Sequence, residues 1–415
     1  MKAEVIAVGT EILLGDIVNT NAQYIAKRLA DMGIFLYHQS VVGDNPDRIK
    51  KAYDIAFSRA DLVIATGGLG PTRDDLTKEM AAEFFGRKLI LNEASLDSIK
   101  EFLFRRNQPV TEGNKKQAFI PEAAIILKNH HGTAPGCIIE ENRKILILLP
   151  GPPREMIPML EQQVLPYLSK YQDGVLVSKV LRLCGIGESY VEEKIKDIIE
   201  NQSNPTIAPY AKEGEVILRI TAKASCKGEA EGLIVPIEEK IRSRVEKYIY
   251  GEGDTTLEEA VGKLLIHHQL KIATAESCTG GLLAARLVNH PGISSVFMEG
   301  VITYSNHAKM ERLGVKEETL KAFGAVSQET AAEMAEGVAK LGKTDIGISI
   351  TGIAGPGGGT KEKPVGLIYV GVYLKGKTRT KELFFKGDRQ KLRNFATTQT
   401  LCWLRRVLME EGYSQ

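Results

Sequence analysis

Short β-rich runs alternate with helical patterns through the first part of the chain, and this alternation limits the possible folds more than any other feature. The runs are Val5–Val8, Phe35–Val42 and Leu62–Ala65; helical patterns lie between them, near Ala22–Met32 and after Pro46. That order predicts a parallel sheet with crossover helices. Ala22, Ile25, Ala26 and Leu29 recur at intervals of three and four, and Gly33 follows as a C-cap should.

The pattern changes further on. Between 171 and 250 it reads strand (Val175–Leu183), helix (Val191–Ile199), a strand pair around Glu213-Gly214, and a long charged helix ending near Tyr250. This predicts a small α+β module. The glycine-rich, polar stretch Gly251–Thr256 reads as a linker, and the capping pattern Thr256-Leu257-Glu258-Glu259 opens a new domain. From 257 the alternation resumes, with strands at Lys271–Ala275, Ser295–Thr303, Asp345–Ile350 and Gly366–Tyr373. The fold class is therefore multi-domain α/β, with domains at 1–170, 171–250 and 257–412. No period of the solenoid kind is present.

At 415 residues the chain exceeds one ordinary core. Its 54 basic and 52 acidic side chains leave a formal charge of +2, so no global field argues for nucleic acid or an anionic membrane. Five scattered cysteines without CxxC spacing fit a reducing compartment, and the expected location is cytoplasmic. Apolar stretches such as Ile145–Leu149 fall far short of the roughly 20 residues of a spanning helix. Glu4 and Glu11 interrupt the N-terminal apolar run, which reads as a buried strand rather than a signal peptide.

The densest cluster of chemistry is Thr274-Ala-Glu-Ser-Cys-Thr-Gly-Gly281, where a strand gives way to a helix. Gly280 and Gly281 permit a sharp turn, and helix N-terminal N–H groups favour developing negative charge. Ser277 and Cys278 are both candidate nucleophiles there, and spacing does not choose between them. A packing or phosphate-binding corner is the plain alternative. Tyr304 and Lys309 follow the next strand, where they can share one sheet edge with the corner; Lys309 could serve as base if burial lowers its proton affinity. The loop Thr351–Gly359, with Gly352 and Gly355, can cradle a phosphate, and Arg389 opens a helix where it suits bidentate anion recognition.

In the first domain, Glu11 and Asp16 follow the first strand, Asp44 the second, and the run Gly67, Gly68, Gly70, Thr72, Asp74 and Asp75 the third. Loops at those strand ends face one crevice, which predicts a nucleotide or pyrophosphate site. Helix capping competes for each aspartate, and Asn19 and Asn21 read equally as caps or ligand contacts.

TAESCTGG, YSNHAK, GAVS, TGIAGPGGG with KPVG, and GDR, in that order over roughly 257–410, resemble the C-terminal domain of the CinA family, the nicotinamide mononucleotide deamidases. The resemblance implies Ser277 as nucleophile and Lys309 as its base, with Tyr304 and Thr351 supporting catalysis and Arg389, Gly280, Gly281, Gly352 and Gly355 binding substrate. Cys278 becomes a bystander, and no cofactor is implied. A histidine triad using His307 or His290 is the mechanistic rival.

GTEILLGDIVNTNA, VVGDN, TGGLGPTRDD and LPGPPREM resemble the N-terminal, molybdopterin-binding-like domain of the same family. That implies a metal-dependent ADP-ribose pyrophosphatase, with Glu11, Asp44, Asp74 and Asp75 holding a divalent ion (Mg, Mn or Co) and Gly67, Gly68, Gly70, Thr72, Asn19 and Asn21 the nucleotide. The middle module corresponds to a KH-like segment without a basic-aromatic strip, so direct nucleic-acid binding is not expected and a homodimer is. The partners expected are pyridine nucleotides and ADP-ribose, with no membrane. The alternatives are a competence-associated regulatory or scaffold protein with inactive sites, and a molybdopterin-binding protein.

Overall fold

Lys2–Val8 (β1) is buried at every position after the first, which is what a central strand covered on both faces requires. The computed structural model describes residues 1–171 and 174–414; residues 172 and 173, at the expected start of the middle module, lie outside the described residues. Phe35–Val42 (β2) forms an edge and is mostly exposed, whereas Leu62–Thr66 (β3) is buried throughout. Leu89–Leu91 (β4) and Phe119–Pro121 (β5) make a separate two-stranded antiparallel sheet. Ile125–Leu127 (β6), Gly136–Glu141 (β7) and Lys144–Leu149 (β8) complete the main sheet, in the order β2-β1-β3-β8-β7-β6.

That sheet is parallel over four strands and antiparallel at β7 and β6, so the expected parallel sheet is a mixed one. The reversal comes from the turn between β7 and β8, where Asn142 and Arg143 both take positive φ, at 48° and 65°. Such tight turns match the twist of an antiparallel pair. Alternate side chains of β1 feed two cores: Val5 packs with Ile25, Leu29 and Ile147, and Ile6 with Tyr53, Ala65 and Leu146.

The chain divides into two compact units, Met1–Val177 with Ala222–Gly232, and Ser178–Thr221 with the chain from Leu233 onward. In the middle region Val175–Cys184 (β9), Thr206–Lys212 (β10), Glu215–Ala224 (β11) and Ile249–Glu252 (β12) form a sheet in the order β10-β11-β9-β12. The expected hairpin about Glu213-Gly214 is present. The charged helix ends earlier than expected: it spans Lys227–Val245, and Ile249–Glu252 instead pairs antiparallel with β9, burying Ile249 and Tyr250. Strand pairing takes precedence there over helical pattern.

The C-terminal region opens with the helix Leu257–His267, whose N-cap Thr256 accepts from Glu259 N at 3.2 Å. Its sheet contains Ile272–Glu276 (β13), Phe297–Ile302 (β14), Ile346–Gly352 (β15), Leu367–Leu374 (β16) and Lys377–Phe384 (β17), in the order β14-β13-β15-β16-β17. The first three strands are parallel and the last two antiparallel. The final helix, Arg389–Glu410, is capped by Asp388, which accepts from Lys391 N at 2.9 Å. Among the described residues no helix is long and apolar enough to cross a membrane.

Candidate functional site

The register of the C-terminal sheet brings three chain positions to one edge. Glu276 pairs with Ile302 on one side and Ile350 on the other, so Ser277, Thr303 and Thr351 each stand one residue past the end of an aligned pair. Strand order reverses about β13, which is where open α/β sheets form ligand crevices. Backbone bonds fix the corner: Ser277 N donates to Ile350 O at 3.0 Å, and Thr303 N to Glu276 O at 2.8 Å.

Lys309, on the helix Asn306–Leu313, reaches back to that edge. Its Nζ lies 3.1 Å from Ser277 Oγ, 2.8 Å from Thr303 O and 3.4 Å from Tyr304 O. Lys309 is 1% exposed and Ser277 9%, and no carboxylate pairs with the amine among the described residues. Burial therefore lowers the proton affinity of Lys309 below the ordinary lysine range. A neutral amine has two N–H bonds and one lone pair. The two carbonyls can take the N–H groups, leaving the lone pair for the serine hydroxyl.

Other parts of the corner differ from expectation. The helix Leu282–Val288 does not offer its N-terminus to a ligand, because the buried Glu276 carboxylate accepts from Gly281 N, Leu283 N and Ala284 N at 3.1, 3.0 and 2.8 Å. Gly280 N is also used, donating to Ser277 O at 3.1 Å. Gly280 and Gly281 serve the turn through φ of 61° and 92°, and their N–H groups are not free. Among the described residues no hydrogen bond is made by Thr279 N, and Cys278 N meets only its own thiol, which leaves these two as the donors of the corner not taken by another residue.

Cys278 is buried and its thiol is pushed up to about 11, chiefly by burial, so it is a poor thiolate source. His307 is exposed and lies 3.5 Å from Glu311, and His290 sits against Gly262; neither builds the histidine triad. Tyr304 is exposed, and its hydroxyl accepts from Arg389 Nη2 at 3.1 Å, while Arg389 Nη1 donates to Gly355 O at 2.8 Å. Thr351 is buried and spends its hydroxyl on Ala325 O at 2.7 Å, away from the role of a catalytic donor. At Gly352 an added Cβ would lie 2.7 Å from Ile368, so packing accounts for that glycine.

Three residues at this edge escaped the motif reading. Thr303 supplies the carbonyl nearest Lys309, Arg393 donates to Thr279 O at 2.7 Å, and Glu276 caps the helix. Arg393 stands one helical turn beyond Arg389, a spacing that could have revealed it.

In the first unit the strand-end loops surround a cavity of about 540 Å³ lined by Glu11, Asn19, Asn21, Asp44, Gly67, Gly68, Gly70, Asp74 and Asp75, among others. Thr72 does not line it; its N–H, at 3.0 Å, and its hydroxyl are bound to Asp75. Asn19 is a helix cap, accepting from Ala22 N at 3.1 Å. Asn21 donates to Thr66 Oγ1 at 2.9 Å and Gly151 O at 2.7 Å, tying two loops together. The glycines answer to crowding as well as to a ligand: a Cβ on Gly67 would sit 2.0 Å from Val8 O, and one on Gly68 2.1 Å from Thr77 Oγ1.

The expected metal set does not form. Asp44 accepts from Thr10 N and Oγ1, both at 2.9 Å, and Asp75 from Thr72. Among the described residues no group of three or more His, Cys, Asp or Glu side chains is placed to hold an ion. Glu11, Asp44, Asp74 and Asp75 share a cavity without converging as ligands. Gln117 and Glu155 also line it; Glu155 falls within LPGPPREM, whereas Gln117 comes from a segment with no motif to mark it. Gln117 donates to Leu69 O at 3.1 Å, and the buried Lys78, pushed down to about 8 by burial, donates to Gln117 O at 2.8 Å.

Comparison with known proteins agrees with this layout. Residues 4–170 match the model described as "Probable molybdopterin binding domain", 178–251 the "Damage-inducible protein CinA KH domain", and 254–408 the "CinA C-terminal domain". A CinA-like protein of Kosmotoga olearia is 64% identical over 409 residues, covering 99% of each chain. A CinA-like protein of Dictyoglomus turgidum is 60% identical over 409 residues, covering 99% of this chain and 100% of its own. A crystal structure of the protein CinA with unknown function from Thermoplasma acidophilum is 40% identical, covers 40% of this chain and 96% of its own, and superposes with a TM-score of 0.38. With three successive domain matches and relatives this similar along nearly its whole length, the chain belongs to the CinA family.

Proposed function

We propose that the C-terminal region is a serine amidohydrolase that converts nicotinamide mononucleotide to nicotinic acid mononucleotide and ammonia. The observation that carries this reading is the 3.1 Å contact between Ser277 Oγ and a buried Lys309 amine without a carboxylate partner. Neutral Lys309 takes the hydroxyl proton as Ser277 attacks the carboxamide carbon. The N–H groups of Cys278 and Thr279, which no other residue takes, hold the oxyanion. The lysine then returns its proton to the departing amine, and water enters by the same route to release the acid. Arg389, held by Gly355 O and Tyr304, has guanidinium donors left for the nucleotide phosphate.

The test is ammonia release from nicotinamide mononucleotide by the whole chain. Ser277→Ala is expected to lower kcat by at least about 10³-fold, while Cys278→Ala stays active. Loss of activity in the cysteine variant with retention in the serine variant would reverse the choice of nucleophile. Absence of turnover with any pyridine nucleotide would favour a regulatory role.

For the first unit we propose binding of a nucleotide diphosphate such as ADP-ribose. A 540 Å³ cavity edged by glycine loops at strand ends supports it. Calorimetric titration with ADP-ribose tests it, and copurifying molybdopterin would point to the other occupant.

A further inference from the structure

Two cysteines meet in the second unit, away from the Ser277 corner. Cys184 ends β9, and Cys402 lies within the helix Arg389–Glu410; both are buried in one apolar core. Their thiols lie close enough to act on each other's ionisation. The next residue makes the approach possible. Gly185 takes a φ of 70°, and a Cβ there would lie 3.0 Å from Cys402 Sγ and 2.6 Å from Arg406 Nη2. A larger residue there would be strained by the positive φ and would crowd Cys402 and Arg406.

The surroundings are not those of inert packing thiols. Lys381 from β17, with Arg405 and Arg406 from the helix, bring three positive charges to Cys402. Arg405 Nη2 is bound to a carbonyl, Ile249 O at 2.7 Å, and Arg406 lies 5.7 Å from the Tyr248 ring centroid. Among the described residues none of the three is in a salt bridge. Glu246 is the acidic group that acts on Arg405, and Glu215, which acts on Cys184, is already bound by Tyr250 Oη at 2.8 Å. The Cys184 thiol, followed by Arg406, Lys381 and Arg405, holds the Cys402 thiol below its ordinary range against the opposing effect of burial. Uncompensated cations crowded around a neutral apolar pair are costly, whereas around a thiolate they are favourable.

We propose that Cys184 and Cys402 are a redox modification site, closing to a reversible intrachain disulfide when the protein meets hydrogen peroxide. The Cys402 thiolate attacks one peroxide oxygen and the O–O bond breaks, giving Cys402 sulfenic acid and hydroxide. That hydroxide takes up the proton released by the Cys402 thiol and leaves as water. The Cys184 sulfur then attacks the Cys402 sulfur; the S–O bond breaks, the S–S bond forms, and the second water carries off the Cys184 proton. Two thiols lose two electrons in all, and one peroxide is reduced to two waters. The other cysteines lack this arrangement: burial pushes Cys137 up to about 12 and Cys278 up to about 11, and Cys226 is exposed. The proposal stands apart from the amidohydrolase reading, because its product is a covalent bond that can be mapped without any activity assay.

The experiment uses the native full chain and its Cys226→Ser variant, treated with stoichiometric hydrogen peroxide, quenched, unfolded, alkylated and mapped without reduction. The expected result in both is one peptide pair joined through Cys184 and Cys402, lost on dithiothreitol treatment, with Cys137 and Cys278 alkylated. Cys402→Ser and Cys184→Ser should each abolish the pair. If both Cys184 and Cys402 carry the alkyl label after oxidation, or if disulfides run only through Cys226, the proposal is overturned. The wild-type map decides this even if a serine variant folds poorly.

Discussion

The two strand-end sites of this chain follow one topological rule and reach opposite solutions. In both, a parallel sheet reverses its strand order and sequence-distant loops meet at the carboxyl ends. The C-terminal corner is tightly built: a serine, a buried amine and its carbonyl partner lie within hydrogen-bonding distance. The N-terminal one is a roomy cavity whose acidic side chains are partly tied to the loops that carry them. Burial can change the chemistry of a group, as it does for Lys309, whereas an open cavity mainly selects what fits. We therefore expect reactivity to reside in the first arrangement and shape recognition in the second.

The sharpest way to break this contrast is Lys309→Met. It should cut ammonia release by about 10³-fold, the usual worth of a positioned general base, and leave ADP-ribose binding unchanged in calorimetric titration. A variant within a few-fold of wild type would remove the lysine from the chemistry. The next largest effect falls on the other region. Gly67→Ala should destabilise the first unit by about 3 kcal/mol, because its φ of 105° and the 2.0 Å approach to Val8 O leave no room for a methyl group. Urea unfolding should show an early transition for that variant, with deamidation preserved in the remaining folded unit; an unchanged curve would contradict the crowding argument.

A smaller loss is expected for Glu276→Gln. Its carboxylate accepts three backbone N–H groups, and an amide would set one donor against another, costing about 1–2 kcal/mol in chemical denaturation. No loss of stability would mean that the helix N-terminus is free for substrate after all.

How much of this was legible in the sequence depends on range. The helix from Thr20 to Asp31, its Asn19 cap and the strand ending at Glu276 follow from local periodicity and capping chemistry. Strand direction does not: β7 and β16 read like any buried strand, and the hairpins β7-β8 and β16-β17 are closed by the turns at Asn142-Arg143 and at Lys375-Gly376, where φ is positive at both residues of each. The Ser277 and Lys309 pairing was legible because each follows the end of a strand, and neighbouring parallel strands bring their ends together. The competing claim of Glu276 on the helix N-terminus was not, since a glutamate at a strand end carries no sign of which donors it will meet. Likewise, Gln117 reaches the N-terminal cavity only through tertiary packing.

The ionisation of Lys309 tests the account most directly. Burial disfavours the ammonium, so between its lowered value and 10.5 the unfolded chain binds more protons than the native one, and the native state gains stability as pH rises through that window. Carbon NMR of the chain labelled at lysine Cε, with Lys309→Met used to assign the resonance, reports that ionisation in the folded protein. We predict that the Lys309 resonance, distinguished by its loss in Lys309→Met from those of the buried Lys78 and Lys381, titrates below 10.5, at the same pH as the limb on which ammonia release rises. A Lys309 resonance that stays protonated up to or beyond 10.5 would leave Ser277 without its base.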